Sequence, residues 1–326
     1  MMMSASSHFT NPLLPLGPDP YAIWHEGFYY VMLTEQTRIA LLRTPDITNL
    51  RQAERLVLYT PPQQGPAALD LWAPELHLLH GRWYVYFTAV DESGQDVNRR
   101  IFVLTGPPGS DPFLPEWRFS GQLQLPPGKD RYAIDGTVLQ DAGRDYFVWS
   151  SKLNYCGGFW QHLLIAELID PYRLGEQEVI LSRPDEPWEN HDQPTNEGPQ
   201  ILKHHATLWI SYSGSAYWSE HYAIGFLQAQ SETDLMNPAS WKKMGRPYFK
   251  QNPTTQVYGP GHGSFVKSPD GREDWLFYHA RDIPRGEPRS PRLQKLLWKD
   301  GEPDLGSPAA NTTLLEKPSG TAETEI

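Results

Sequence analysis

FYYVMLT, at Phe28–Thr34, is the first of five aromatic, strand-like runs in this chain. It returns as WYVYFTA (Trp83–Ala89), DYFVWSS (Asp145–Ser151), LWISYSG (Leu208–Gly214) and DWLFYHA (Asp274–Ala280). Successive runs start 55 to 66 residues apart. A polar residue precedes each start by 8 to 12 positions: Asp19, Glu75, Asp135, Glu197 and His262. Regular recurrence of strand, turn and strand is the sequence signature of a β-propeller, one repeat per blade. The expected fold is therefore all-β, a five-bladed β-propeller. Its innermost strands share one central channel, so five polar groups at one place in five repeats are expected to meet on the axis. Four of the five are carboxylates.

Working outward, each repeat supplies further short strands bounded by Gly, Asp or Pro. Tyr21–Trp24 meets Phe28–Thr34 through His25–Gly27; Glu75–Leu79 turns at His80–Gly81 into Trp83–Ala89; Gly263–Lys267 turns through SPDG (Ser268–Gly271) into Trp275–His279. Such turns suit antiparallel hairpins. No segment shows a 3.6-residue apolar period. The expected organisation is one catalytic domain over residues 1–326, with blades at roughly 19–60, 70–125, 132–182, 195–245 and 258–300. The Pro- and Gly-rich stretches 61–69, 105–127, 184–194 and 284–291 read as loops between strands. The polar tail after about Asn311 reads as mobile.

Composition narrows the function. The 28 Lys and Arg against 39 Asp and Glu give a net charge of −11, with no basic run, so a nucleic-acid backbone is not an expected partner. A single cysteine, Cys156, has no partner for an internal disulfide or a Cys-based zinc site. The opening MMMSASSHFTNP has neither the basic nor the apolar region of a leader, and no apolar run approaches a membrane span. These features set the expectation of a cytoplasmic protein, or a secreted one if a leader was removed, with no membrane partner. The 12 Trp and 16 Tyr suit a surface for carbohydrate, because flat apolar rings cover the C–H faces of sugars.

Glycosidic bond hydrolysis needs an acid for the leaving oxygen and a carboxylate on the other face of the sugar. The acid must stay protonated near neutrality, which a nearby third carboxylate assists. Asp19 (GPDPYAIW), Asp135 (YAIDGTVL) and Glu197 (PTNEGPQI) stand in register with the repeat and meet that description. A lone Asp before Pro or Gly is usually a turn former; three in register with a five-fold repeat are harder to read that way.

With these residues in place, the chain resembles glycoside hydrolase family 43, five-bladed propellers acting on arabinose- and xylose-containing polysaccharides. The likeness spans about residues 16–300. It rests on DPYAIW followed by GFYYVMLT, on WAPELH (Trp72–His77), AIDG, NEGPQILK (Asn196–Lys203), and GPGHGSF (Gly259–Phe265) followed by YHAR (Tyr278–Arg281). The resemblance implies inversion, with Asp19 as general base, Glu197 as general acid and Asp135 raising the acid's pKa. It needs no cofactor for the chemistry. His262 is expected on the axis, either as a plain hydrogen-bonded histidine or beside a structural calcium, although calcium prefers oxygen ligands.

Trp72, Ile134, His25 and Arg281 are the expected substrate contacts, and Glu75 is expected to be structural. The expected activity is release of α-L-arabinofuranosyl residues from arabinan, arabinoxylan or derived oligosaccharides. Three points favour it over a β-xylosidase: the chain ends too soon for the C-terminal β-sandwich common in family xylosidases, the YHAR and GPGHGSF segments look closer to the arabinose-acting branches, and a cytoplasmic enzyme suits short oligosaccharides. An arabinanase or β-xylosidase on the same fold stays open, as does a non-catalytic sugar-binding propeller. No HExxH helix, GxSxG elbow or phosphate loop occurs.

Overall fold

The computed structural model describes residues 7–322 and is a five-bladed β-propeller. Each blade is an antiparallel sheet whose strands follow chain order from the axis outward. The inner strands are Tyr21–His25, Leu69–Leu79, Ile134–Asp141, Asn196–His204 and Tyr258–Lys267. The aromatic runs form the second strands: Phe28–Met32, Arg82–Val90, Arg144–Tyr155, Thr207–Gly214 and Asp274–Arg281.

The runs are apolar throughout because each second strand is covered on both sides. Side chains alternate across a strand, and here the two sides belong to two different interfaces. In blade 1, Tyr30 and Met32 enter the core shared with blade 2, whereas Tyr29 and Val31 enter the core shared with blade 5. Trp83, Val85 and Phe87 of blade 2 face blade 1, while Tyr84 and Tyr86 face blade 3. The same split recurs for Phe147 against Val148, for Ile210 against Trp209 and for Leu276 against Phe277. Five apolar clusters fill five interfaces. Each wedge needs large rings, because neighbouring blades diverge away from the axis.

The ring is closed by the chain's ends. Asn11 makes a two-way pair with the backbone of Leu293: its amide donates to the carbonyl at 2.9 Å and its side-chain oxygen accepts from the N–H at 2.9 Å. Leu13 and Gly17 donate to the carbonyls of Pro291 and Arg289. His8–Phe9 pairs with Leu315–Glu316, and Lys317 Nζ reaches Asp46 at 2.7 Å. The tail read as mobile after about residue 311 is therefore tied down through the described residues; its last four lie outside them.

One segment read as a loop carries strands. Residues 105–127 include the end of Arg100–Pro108 and the outer strand Arg118–Gln122, which completes blade 2. Residues 154–161 are a tall hairpin joining Arg144–Tyr155 to Gly158–Asp170, with Cys156 exposed at its tip.

Candidate active site

The channel opens on one face into a cavity of about 400 Å³, lined by Asp19, Asp135, Glu197, His262, Trp72 and Arg289 among others. The three carboxylates and His262 are all buried. They converge because each sits at or just before its inner strand or in that strand's first half, at the end facing the same opening.

The three acids sit in different surroundings. Asp19 Oδ2 accepts from the Thr34 hydroxyl at 2.7 Å, and its Oδ1 lies 3.2 Å from Arg289 Nη1 and 3.3 Å from His262 Nδ1. Burial alone would raise its pKa. The charges of His262 and Arg289 override that and hold Asp19 well below the usual carboxylate range. Glu197 accepts from the Tyr222 hydroxyl at Oε1 (2.9 Å) and from the Gln161 amide at Oε2 (2.8 Å). Its pKa is nevertheless raised, chiefly by burial. Asp135 accepts from the Gly198 N–H at 3.1 Å and is pushed up to about 7 by burial, with Glu197 and Asp19 adding repulsion. Gly198 takes φ +57°, and a Cβ there would meet the His262 ring at 3.0 Å, so the chain passes this point only as glycine.

His262 counterbalances the three acids. Burial disfavours its charged form, but Asp19, Asp135 and Glu197 together raise its pKa. The site thus pairs a strongly acidic Asp19 with Arg289 and with a His262 whose pKa is raised, beside two carboxyls whose pKa values are raised. Such opposed poise is how one pocket runs base and acid chemistry together.

Not every expected contact reaches the cavity. Trp72 and Ile134 line it. The Arg99 guanidinium lies 3.4 Å from the Trp72 ring centroid and is itself held by Asp70 and Asp96, which fixes the indole as a wall. His25 is at the far end of its strand, roughly 20 Å from Asp19 at the usual rise per residue; its Nε2 meets the Ser110 carbonyl at 2.9 Å. Arg281 is fully buried and donates to the carbonyls of Tyr217 and Ser219, both at 2.6 Å. It braces a wall loop and does not face the cavity. Glu75 is bonded by the Gln200 amide and by His77 Nε2 at 3.0 Å.

Several contributors carried no sequence signal. Arg289 sits in a Pro-rich stretch, Gln161 in a strand and Tyr222 in a loop, and none belongs to a repeated motif. Tyr217 and Trp218 add two half-open rings to the wall, and the Arg289 guanidinium lies 4.5 Å from the Tyr217 ring centroid. No calcium site is shown around His262. Nδ1 faces Asp19, the nearest carboxylates have partners of their own, and among the described residues no group of three or more His, Cys, Asp or Glu is arranged to hold a metal. Nor is any helix among them long and apolar enough to cross a membrane.

The model for glycosyl hydrolases family 43 matches residues 9–303. An α-L-arabinofuranosidase from Humicola insolens is 37% identical over 94% of this chain, which covers 64% of that protein. An extracellular exo-α-(1→5)-L-arabinofuranosidase from Streptomyces avermitilis is 34% identical over 94% of the chain, covering 65% of its length. The chain thus spans slightly under two thirds of these two relatives. The crystal structure of an α-L-arabinofuranosidase from Lactobacillus brevis superposes with a TM-score of 0.86 at 31% identity, covering 94% of this chain and 98% of that one.

Proposed function

This chain belongs to glycosyl hydrolases family 43, and on that premise we propose that it hydrolyses α-L-arabinofuranosyl linkages at chain ends or branches, with inversion. The observation that carries the reading is the opposed proton poise of Asp19 and Glu197 in one cavity. The names of the relatives support the sugar.

In the proposed reaction Asp19 takes a proton from a water molecule as that water attacks the anomeric carbon. Glu197 gives its proton to the departing glycosidic oxygen from the opposite side. Thr34, Arg289 and His262 keep Asp19 ionised and aimed. Tyr222 and Gln161 each donate to one oxygen of Glu197 and so hold the carboxyl in orientation. Asp135 and Glu197 repel each other when both are charged, so ionising both is disfavoured and a proton is retained between them for Glu197 to give up. Trp72, Ile134, Tyr217 and Trp218 wall the sugar. We take residues 7–322 as one catalytic unit.

Family chemistry needs no cofactor. A structural calcium near His262 has only the resemblance behind it, and no step above passes through an ion. The extracellular naming of one relative stands against the cytoplasmic expectation; the substrate reading holds in either compartment.

The test is a substrate panel of aryl α-L-arabinofuranosides, aryl β-D-xylopyranosides and linear arabino-oligosaccharides. Turnover of the first and stepwise release of arabinose from the last supports the reading. Activity confined to xylosides overturns it.

A further inference from the structure

Just before or in the first half of four inner strands stands a non-glycine residue in the left-handed backbone conformation whose N–H is held by a neighbouring blade: Asp19 (φ 55°), Ala73 (φ 43°), Asp135 (φ 56°) and His262 (φ 43°). That conformation is uncommon for residues other than glycine and persists only where neighbours hold it. In each case a side chain from the preceding blade accepts the backbone N–H. Thr34 Oγ1 takes that of Ala73 at 2.7 Å, Thr88 Oγ1 that of Asp135 at 3.1 Å, Ser213 Oγ that of His262 at 2.8 Å, and His279 Nδ1 that of Asp19 at 3.0 Å. Into blade 4, Ser150 Oγ reaches the same stretch by donating to the Asn196 carbonyl at 2.8 Å.

All five side chains fall in the last two positions of the aromatic runs. They form one ring of clamps, each blade gripping the inner strand of the next. Four are hydroxyls. The fifth is an imidazole, and it stands at the seam where blade 5 meets blade 1.

We propose that His279 is a positioning residue for Asp19: a neutral imidazole, protonated on Nε2, whose Nδ1 grips the Asp19 backbone N–H and so fixes where the base carboxylate stands. The inference rests on Asp19 being the base. With the backbone N–H donating to it, Nδ1 has no proton to share with Asp19 Oδ1 at 3.4 Å. The ring is fully buried, and its Nε2 has no hydrogen-bond partner among the described residues. Burial pushes its pKa down to about 3. The Tyr222 ring lies parallel to it, 5.8 Å between centroids, so the residue that holds the acid also packs on the clamp of the base. An imidazole at the seam extends farther than a serine hydroxyl and stays neutral between Arg289 and His262.

The experiment compares H279N, which can place an amide oxygen near the position of Nδ1, with H279L, which has no acceptor, and runs D19N in parallel. H279L is expected to lose about 100-fold in kcat with KM changed less than about threefold, the scale of a misplaced reacting group. H279N is expected to stay within about tenfold of wild type, with a Tm close to that of H279L. In wild type, ¹⁵N NMR is expected to show His279 bare at Nδ1 and protonated at Nε2 from pH 5 to 8; this decides the question even if H279L fails to fold. Wild-type kcat in H279L beside an inactive D19N overturns the clamp, as does an Nδ1–H tautomer or an imidazolium. An active D19N overturns the base assignment itself, and the inference falls with it.

Discussion

The Tyr222 hydroxyl donates to Glu197 Oε1 at 2.9 Å, from a loop whose Ser219 carbonyl is held by the buried Arg281 guanidinium. This bond favours the ionised form of Glu197 and partly offsets the effect of burial. The acid is thus tuned between two opposing influences.

Removing that bond with Y222F should raise the pKa of Glu197. The proposed reaction requires Glu197 protonated, so the alkaline limb of kcat/KM moves to higher pH, by about one unit for a charge-assisted bond. A pH profile from 5 to 10 checks it. A limb that stays in place or moves down removes Tyr222 from the tuning of the acid.

Arg289 acts with the opposite sign on Asp19. Its charge lowers the pKa of the base, and the base works only when ionised. R289M should therefore raise the acidic limb of kcat/KM toward the accessible range, while R289K moves it less. Unchanged profiles in both variants would leave Arg289 with packing alone.

The two halves of the mechanism separate by leaving group. E197Q is expected to lose about 10²–10⁴-fold on oligosaccharides, which need protonation, and far less on a dinitrophenyl arabinofuranoside, which does not. D19N should lose a similar factor on both. Equal losses for E197Q on the two substrates contradict its role as the acid.

Asp135 has a folded-state pKa of about 7, above its ordinary 3.8. A raised carboxylate contributes stability fully present below its unfolded pKa and lost as pH rises through the folded value. Ionised Asp135 therefore costs stability from pH 4 upward, most fully above 7. D135N should abolish most activity yet raise Tm at pH 8, by about 1–2 °C for each 1 kcal/mol gained in a chain of 326 residues, with little change at pH 4. A lower Tm at pH 8 sinks this reading.

The fold was legible because the propeller writes its geometry into the chain five times. Tyr29 and Tyr30 face two different interfaces, so the run containing them has no polar side, and that uninterrupted aromatic run repeats. The carboxylates were legible because they share a register with it. Arg289, Gln161 and Tyr222 were not, since each reaches the cavity from a segment outside the repeat and its role depends on loop path. His25 misled for a related reason: nearness to Asp19 in sequence along an extended strand means distance in space. Arg281 misled because a buried guanidinium can be satisfied by backbone carbonyls. The tail gave no sign of pairing because Leu315–Glu316 is too short to show a pattern.

The most direct measurement is proton NMR of the first sugar released from an α-linked arabinofuranoside, recorded before mutarotation. Inversion by Asp19 and Glu197 predicts β-arabinose first, with the α-anomer appearing only later. The α-anomer first would contradict the account, since it requires a covalent intermediate in place of a base-activated water.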